Sequence, residues 1–269
     1  MQFFFEIHSG LPREGPGSTP STRKAFAMLG KLPEKPYVLD IGCGPGMQTL
    51  DLLALTDGEI VALDNHQPFL DDLILRATRK GVSARLATVN ADMSNLGFFK
   101  EGIFDVIWAE GSAFIIGFEK ALRQWKPLLK RPGYLAVSEM VWLKPHPPKE
   151  VREFFAAAAQ QLELSASYSD PPEESPDYFT AEYPWVHGIG GNAEIIRRAG
   201  YTLIGHFTLP ESDWWDGYYM PIEKKLTALR EKYKGNPEAL AVIELEEREI
   251  EIYRKYSAYY GYEFFVMQA

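Results

Sequence analysis

The feature that most constrains this chain is an alternation. Between residues 37 and 141, short β-rich apolar runs take turns with stretches of helical periodicity. Residues 37–41, 59–64, 84–90, 103–108 and 134–141 read as strands. Residues 47–55, the stretch from Pro68 to Gly81, and 117–129 place apolar side chains at helical spacing. Pro68 suits a first helical turn, Gly81 a helix end, and Pro127 bends or ends the third helix. The strands are continuously apolar rather than alternating, so both faces of their sheet must be covered. Strand–helix–strand order makes that sheet parallel, giving an expected α/β, doubly wound, Rossmann-like fold. Ligands of such sheets bind at the carboxyl ends of the strands.

Beyond residue 141 the rhythm changes. Residues 147–164 read as a helix with an alanine-rich middle, and 169–176 as a Pro/Asp/Glu/Ser loop. Asn192 is expected to cap a short helix that stops at Gly200. Residues 201–209 and 262–268 read as strands. The stretch 221–256 is helical, broken once at Gly235-Asn236-Pro237. Because it lies between two strands, it reads as a helical insertion in one domain over 1–269. That domain comprises a cap segment (1–36), a binding core (37–141) and variable elements (142–200 and 210–260).

Composition narrows the class. The chain has 269 residues, 46% of them hydrophobic and 24% charged, which excludes a disordered or fibrous protein. Cys43 is the only cysteine, so a disulfide framework is impossible and a reducing compartment fits. Residues 1–7 lack the basic head of a leader, and no apolar run approaches the ~18 residues of a membrane helix. A cytoplasmic protein is expected. The net charge of −9 argues against a nucleic-acid partner.

The chemistry concentrates at strand ends. Val38-Leu39-Asp40-Ile41-Gly42-Cys43-Gly44-Pro45-Gly46 is an apolar strand ending in an acid and a glycine turn before a helix. Glycines there allow a tight turn and close approach of a ligand to backbone. The dinucleotide fingerprint needs its third glycine where Met47 stands, so the chain departs from that pattern. Asp40 would also repel a pyrophosphate, whereas it suits an ammonium or sulfonium. Asp64, 18 residues after Gly46, could accept two hydrogen bonds from a ribose diol, or could simply complement a helix dipole. Asp92 and Met93 follow the third strand and Glu110-Gly111-Ser112 the fourth. Four consecutive strands therefore finish in Asp40, Asp64, Asp92 and Glu110, a register that scattered solvated charges would not keep.

On these residues the stretch 37–141 resembles the class I S-adenosylmethionine-dependent methyltransferases. Within them it is most similar to the small-molecule enzymes of ubiquinone and menaquinone biosynthesis. The resemblance implies a seven-stranded sheet with an antiparallel last strand, and S-adenosylmethionine as cofactor. It implies that Gly42, Cys43 and Gly44 line the methionine and ribose part of that cofactor and that Asp40 faces its amino group. Asp64 would hold the ribose hydroxyls, with Asn65 near the adenine. Asp92 and Met93 would meet the adenine edge and face, and Glu110 and Gly111 the methionine end. The segment before the first strand would fold over the cofactor, where Arg23 could reach its carboxylate, or could equally sit on a solvated helix face.

The methyl acceptor should meet the variable parts: residues 142–146, Trp185, His187, and the aromatic run 214–219 with Trp215 and Tyr218. Such rings suit a small apolar or aromatic molecule, although core packing accounts for a share of them. His187 and His146 are candidate general bases. The histidines at 8, 66, 146, 187 and 206 share no ligand spacing, so no metal is expected. The run 214–219, two tryptophans and two tyrosines around Gly217, is expected to be a mobile aromatic lid. The alternative is that its rings glue the insertion to the sheet. A non-catalytic cofactor-binding protein and an NAD-linked oxidoreductase are the competing functional readings.

Overall fold

The computed structural model describes residues 2–161 and 186–269. Five strands build its first half: β1 (Tyr37–Ile41), β2 (Glu59–Asp64), β3 (Leu86–Asn90), β4 (Phe104–Glu110) and β5 (Leu129–Trp142). All pair in parallel, β1 between β2 and β4. A two-residue strand, β6 (His187–Gly188), pairs with the end of β5. It is followed by β7 (Thr202–Thr208) and β8 (Tyr260–Gln268). β8 runs antiparallel to both β5 and β7, giving the order β3-β2-β1-β4-β5-β8-β7. The expected seven-strand sheet with an antiparallel last strand is therefore present, with β6 as a short addition.

The order in which strands are added reverses at β1. From there the chain winds outward to β2 and β3, then returns to β4 on the other side, which opens a crevice at the carboxyl ends. Both faces of the sheet are buried. Val38, Ile60, Ala62 and Val106 pack against one helical layer, and Leu39, Ile41, Val61 and Ile107 against the other. This explains why the strands read as continuous apolar runs.

Helices α1 (Gln2–His8) and α2 (Thr19–Ala27) precede the sheet, and α3 (Met47–Leu55) follows β1. Helix α4 (Gln67–Arg79) buries Phe69, Leu70, Leu73 and Ala77 on one face. It ends as its sequence predicts: Gly81, at φ +71°, donates to Thr78 while Val82 donates to Ala77. This paired reverse bonding satisfies the last carbonyls, and Gly81 takes the left-handed position at little cost. Helix α5 (Phe118–Trp125) stops at Trp125, and Lys126–Leu128 tightens into a single 3₁₀ turn around Pro127. Helix α6 (Lys149–Gln161) begins two residues later than expected. The rest of that expected helix and the 169–176 loop lie outside the described residues.

Two local readings are corrected. Helix α7 (Ile189–Arg198) starts three residues before Asn192, whose side chain is buried and has no hydrogen-bond partner among the described residues. Gly188 holds the cap position, so Asn192 caps nothing. The insertion between β7 and β8 is helical as expected: α8 (Glu211–Trp214), α9 (Met220–Lys232) and α10 (Pro237–Tyr256). Its aromatic run is not a loose lid. Residues 215–219 form a π-helical turn joining α8 to α9, with Trp214, Tyr218 and Tyr219 buried and Trp214 stacked on Tyr253 at 4.0 Å.

Candidate functional site

The glycine turn after β1 is built by backbone bonds. Gly42 and Cys43 both donate to the carbonyl of Leu63, at 2.8 and 3.0 Å, so the turn leans onto the end of β2. Gly46 donates to Cys43 at 3.1 Å, and Gly44 donates to the Asp64 carboxylate at 2.8 Å. Gly42 sits at φ +71°, and a Cβ there would lie 2.5 Å from that of Ser112. Only glycine serves at that position.

A cavity of about 580 Å³ opens above this turn at the carboxyl ends of β1, β2, β3 and β4. Of the residues expected there, Gly42, Cys43, Gly44, Asp64, Asn65, Asp92, Met93, Glu110 and Gly111 all line it. Asp40 does not. It is fully buried beneath the turn, where Thr49 donates to Oδ2 at 2.5 Å and burial pushes its carboxyl up to about 7. Asp40 therefore supports the turn from below rather than facing the cavity.

The other acids differ in how much of their bonding capacity is already used. Asp64 accepts from the Gly44 and His66 amides, and burial raises its pKa against those bonds. Asp92 accepts from the Ser94 amide, and its bonds to Ser94 lower its pKa. Glu110 is saturated: Trp108 Nε1 and Thr22 donate to Oε1 at 2.8 Å, and Arg13 pairs with Oε2 at 2.5 Å.

That guanidinium was not anticipated. Arg23 is exposed on α2 and does not line the cavity, whereas Arg13 is buried and does. The expectation placed on Arg23 fails because α2 turns that side chain outward. Residues 13–16 run over the turn instead, and α1 adds Phe4 and Phe5 to the cavity wall. Phe5 lies flat on His66, centroids 3.8 Å apart, and packs edge-on to Phe69. The Phe3-Phe4-Phe5 run was visible in the sequence but has too few residues for periodicity to speak.

The insertion holds this roof from behind. Gly17 donates to the carbonyl of Asp213, Ser21 donates to the Asp213 carboxylate, and Lys225 donates to the carbonyls of Glu6 and Ser9. His8 closes α1 with its ring between Glu14 (2.8 Å) and Glu246 of α10 (3.4 Å). Burial disfavours its charge, but the two carboxylates outweigh that and raise its pKa to about 9.

The proposed acceptor residues are not brought to the cavity. Trp215 packs against Tyr219 and Tyr253 with Arg254 over its ring, and Tyr218 is buried beside His8. His187 lies in β6 and His146 in the loop after β5, neither on the cavity wall. Trp185 lies outside the described residues.

Residues 38–133 match the family model described as "Methyltransferase domain". This stretch, about a third of the chain, is similar to that family. It holds β1 to β4, the glycine turn and most of the cavity floor. The chain is similar to sterol 24-C-methyltransferase of Aspergillus fumigatus, 30% identical over 107 residues, which is 39% of this chain and 28% of that one. The corresponding Kluyveromyces lactis enzyme is 22% identical over 190 residues, 70% of this chain and 46% of that one. The chain thus spans less than half the length of these curated relatives. A Geobacter sulfurreducens S-adenosylmethionine-dependent methyltransferase, solved with S-adenosylhomocysteine, superposes with a TM-score of 0.79 at 18% identity. That match covers 99% of this chain and 97% of the other. The fold is that of the class I methyltransferases.

Proposed function

We propose that this protein transfers a methyl group from S-adenosylmethionine to a small apolar or aromatic molecule. One observation carries the reading: a single cavity joins carboxylates on the methyltransferase floor to an aromatic roof. Asp64, Asp92 and Glu14 give part of its wall a negative character, and Phe4, Phe5, Phe69 and Phe114 make a second part apolar. A nucleoside bearing a sulfonium matches the first part and an apolar acceptor the second.

When bound, the cofactor supplies a methyl group already activated on a sulfonium. This chain's residues then bind and align. Asp64 takes ribose hydroxyls beside Gly42, Cys43 and Gly44. Asn65, Asp92 and Met93 meet the adenine, and Gly111 the methionine end. Arg13 is the cation positioned for the carboxylate. Asp40 and Glu110 hold the floor and its closure in place. Alignment and exclusion of water account for the acceleration, since effective molarity alone lowers such barriers by roughly 7–11 kcal/mol.

The sterol 24-C-methyltransferase relatives support an apolar acceptor. Calorimetry should show S-adenosylmethionine and S-adenosylhomocysteine binding and NAD failing to compete. Labelled-methyl turnover should favour sterol-like and phenolic acceptors over polar amines. Tighter binding of NAD than of S-adenosylmethionine would overturn the function, and turnover of polar acceptors alone would overturn the substrate class.

A further inference from the structure

The cavity contains one carboxylate that no element of the sheet supplies. Glu14 comes from the segment between α1 and α2, lines the cavity, and packs against the glycine turn: its Cγ would be 3.2 Å from a Cβ at Gly44. Gly44 is also the residue whose amide bonds Asp64. The two carboxylates therefore flank the same glycine. One oxygen of Glu14 faces His8 Nδ1 at 2.8 Å as an ion pair. The other, Oε1, is buried and has no hydrogen-bond partner among the described residues.

A buried carboxylate oxygen left bare is costly, roughly 1–3 kcal/mol or more, and is tolerated where a ligand completes it. The neighbouring acids are less available to a ligand. Glu110 is already engaged by Arg13, Thr22 and Trp108, and Asp40 lies under the turn.

We propose that Glu14 is a second ligand-binding carboxylate beside Asp64, delivered by the N-terminal segment and accepting a hydrogen bond from a hydroxyl or ammonium group of the cofactor. His8 is its positioning residue. It fixes one Glu14 oxygen and, through Glu246, anchors that geometry to the insertion. The roof therefore supplies part of the binding site. The proposal rests on the assignment of this cavity to S-adenosylmethionine.

The test is calorimetry of S-adenosylhomocysteine and adenosine on the full chain. Glu14→Gln keeps shape and removes charge, and should weaken S-adenosylhomocysteine about ten- to a hundredfold. An equal loss for adenosine assigns the contact to a ribose hydroxyl, and a loss confined to S-adenosylhomocysteine assigns it to the ammonium. Glu14→Ala should lose at least as much. His8→Gln combined with Glu14→Gln should lose little more than Glu14→Gln alone, a coupling that a purely structural histidine would not show. Wild-type protein that binds S-adenosylhomocysteine while folded Glu14→Gln binds it equally well overturns the proposal. Wild-type protein that does not bind it at all overturns the underlying function instead.

Discussion

The floor and the roof of the cavity are built by opposite means. Each floor residue stands at the end of its own strand, a few positions from the glycine or acid that announces it. The roof is held by pairs far apart in sequence: His8 with Glu246, Lys225 with Glu6, Ser21 with Asp213. Local signals therefore place the floor, and long-range packing places the roof. If that division is right, floor substitutions should change binding with modest loss of stability. Roof-support substitutions should do the reverse.

Trp214→Ala should give the largest effect. Its ring is buried and stacked on Tyr253, and truncation of such a residue costs about 3–5 kcal/mol. Chemical denaturation should show that loss, while the folded variant keeps its affinity for S-adenosylhomocysteine. Near-normal stability with lost acceptor turnover would restore the lid and break the division.

Gly42→Ala tests a steric constraint of the floor and is the exception to its modest cost in stability. Left-handed strain and a forced clash with Ser112 should together cost about 2–4 kcal/mol. Gly81→Ala has the same φ but open space around it, so only strain remains, about 1–2 kcal/mol. Equal melting temperatures for the two variants would show that closeness to Ser112 does not matter.

The roof should also respond to pH. His8 has its pKa raised from 6.5 to about 9, so the folded state holds its proton more tightly. That contribution, about 3 kcal/mol, is fully present below pH 6.5 and is lost as pH rises through 9. Denaturation midpoints at pH 6 and pH 9 should differ more in the wild type than in His8→Gln. An identical pH dependence would remove His8 from the account.

Asp64→Ala is the smallest expected change in stability and the clearest in binding. Charge-assisted bonds to a diol are worth about 1.5–3 kcal/mol, so affinity should fall roughly ten- to several-hundredfold. An unchanged dissociation constant would leave Asp64 as a brace for the Gly44 and His66 amides only.

What the sequence made legible follows the same line. Strands β1 and β2 fall where their acids and glycines punctuate the chain, and the end of α4 follows from Gly81. The two-residue β6 carries too little pattern to be seen. Asn192 has the chemistry of a cap, but Gly188 takes the position three residues earlier. Trp214, Tyr218 and Tyr219 carry no mark that separates a flap from a core, because an aromatic ring suits both. Arg23 and Arg13 are chemically alike in the sequence. Only the turn of α2 and the path of residues 13–16 decide which one is buried against Glu110.

The hydrogen bonds of the glycine turn have one more consequence, for selectivity. The amides of Gly42, Cys43, Gly44 and Gly46 are all committed, to Leu63, Asp64 and Cys43, and Pro45 has none to give. A phosphate cradle needs exactly such donors pointing outward. The turn itself has no free amide for an incoming diphosphate. It can discriminate against phosphorylated nucleotides before size or shape is consulted, having no proton left to share with them.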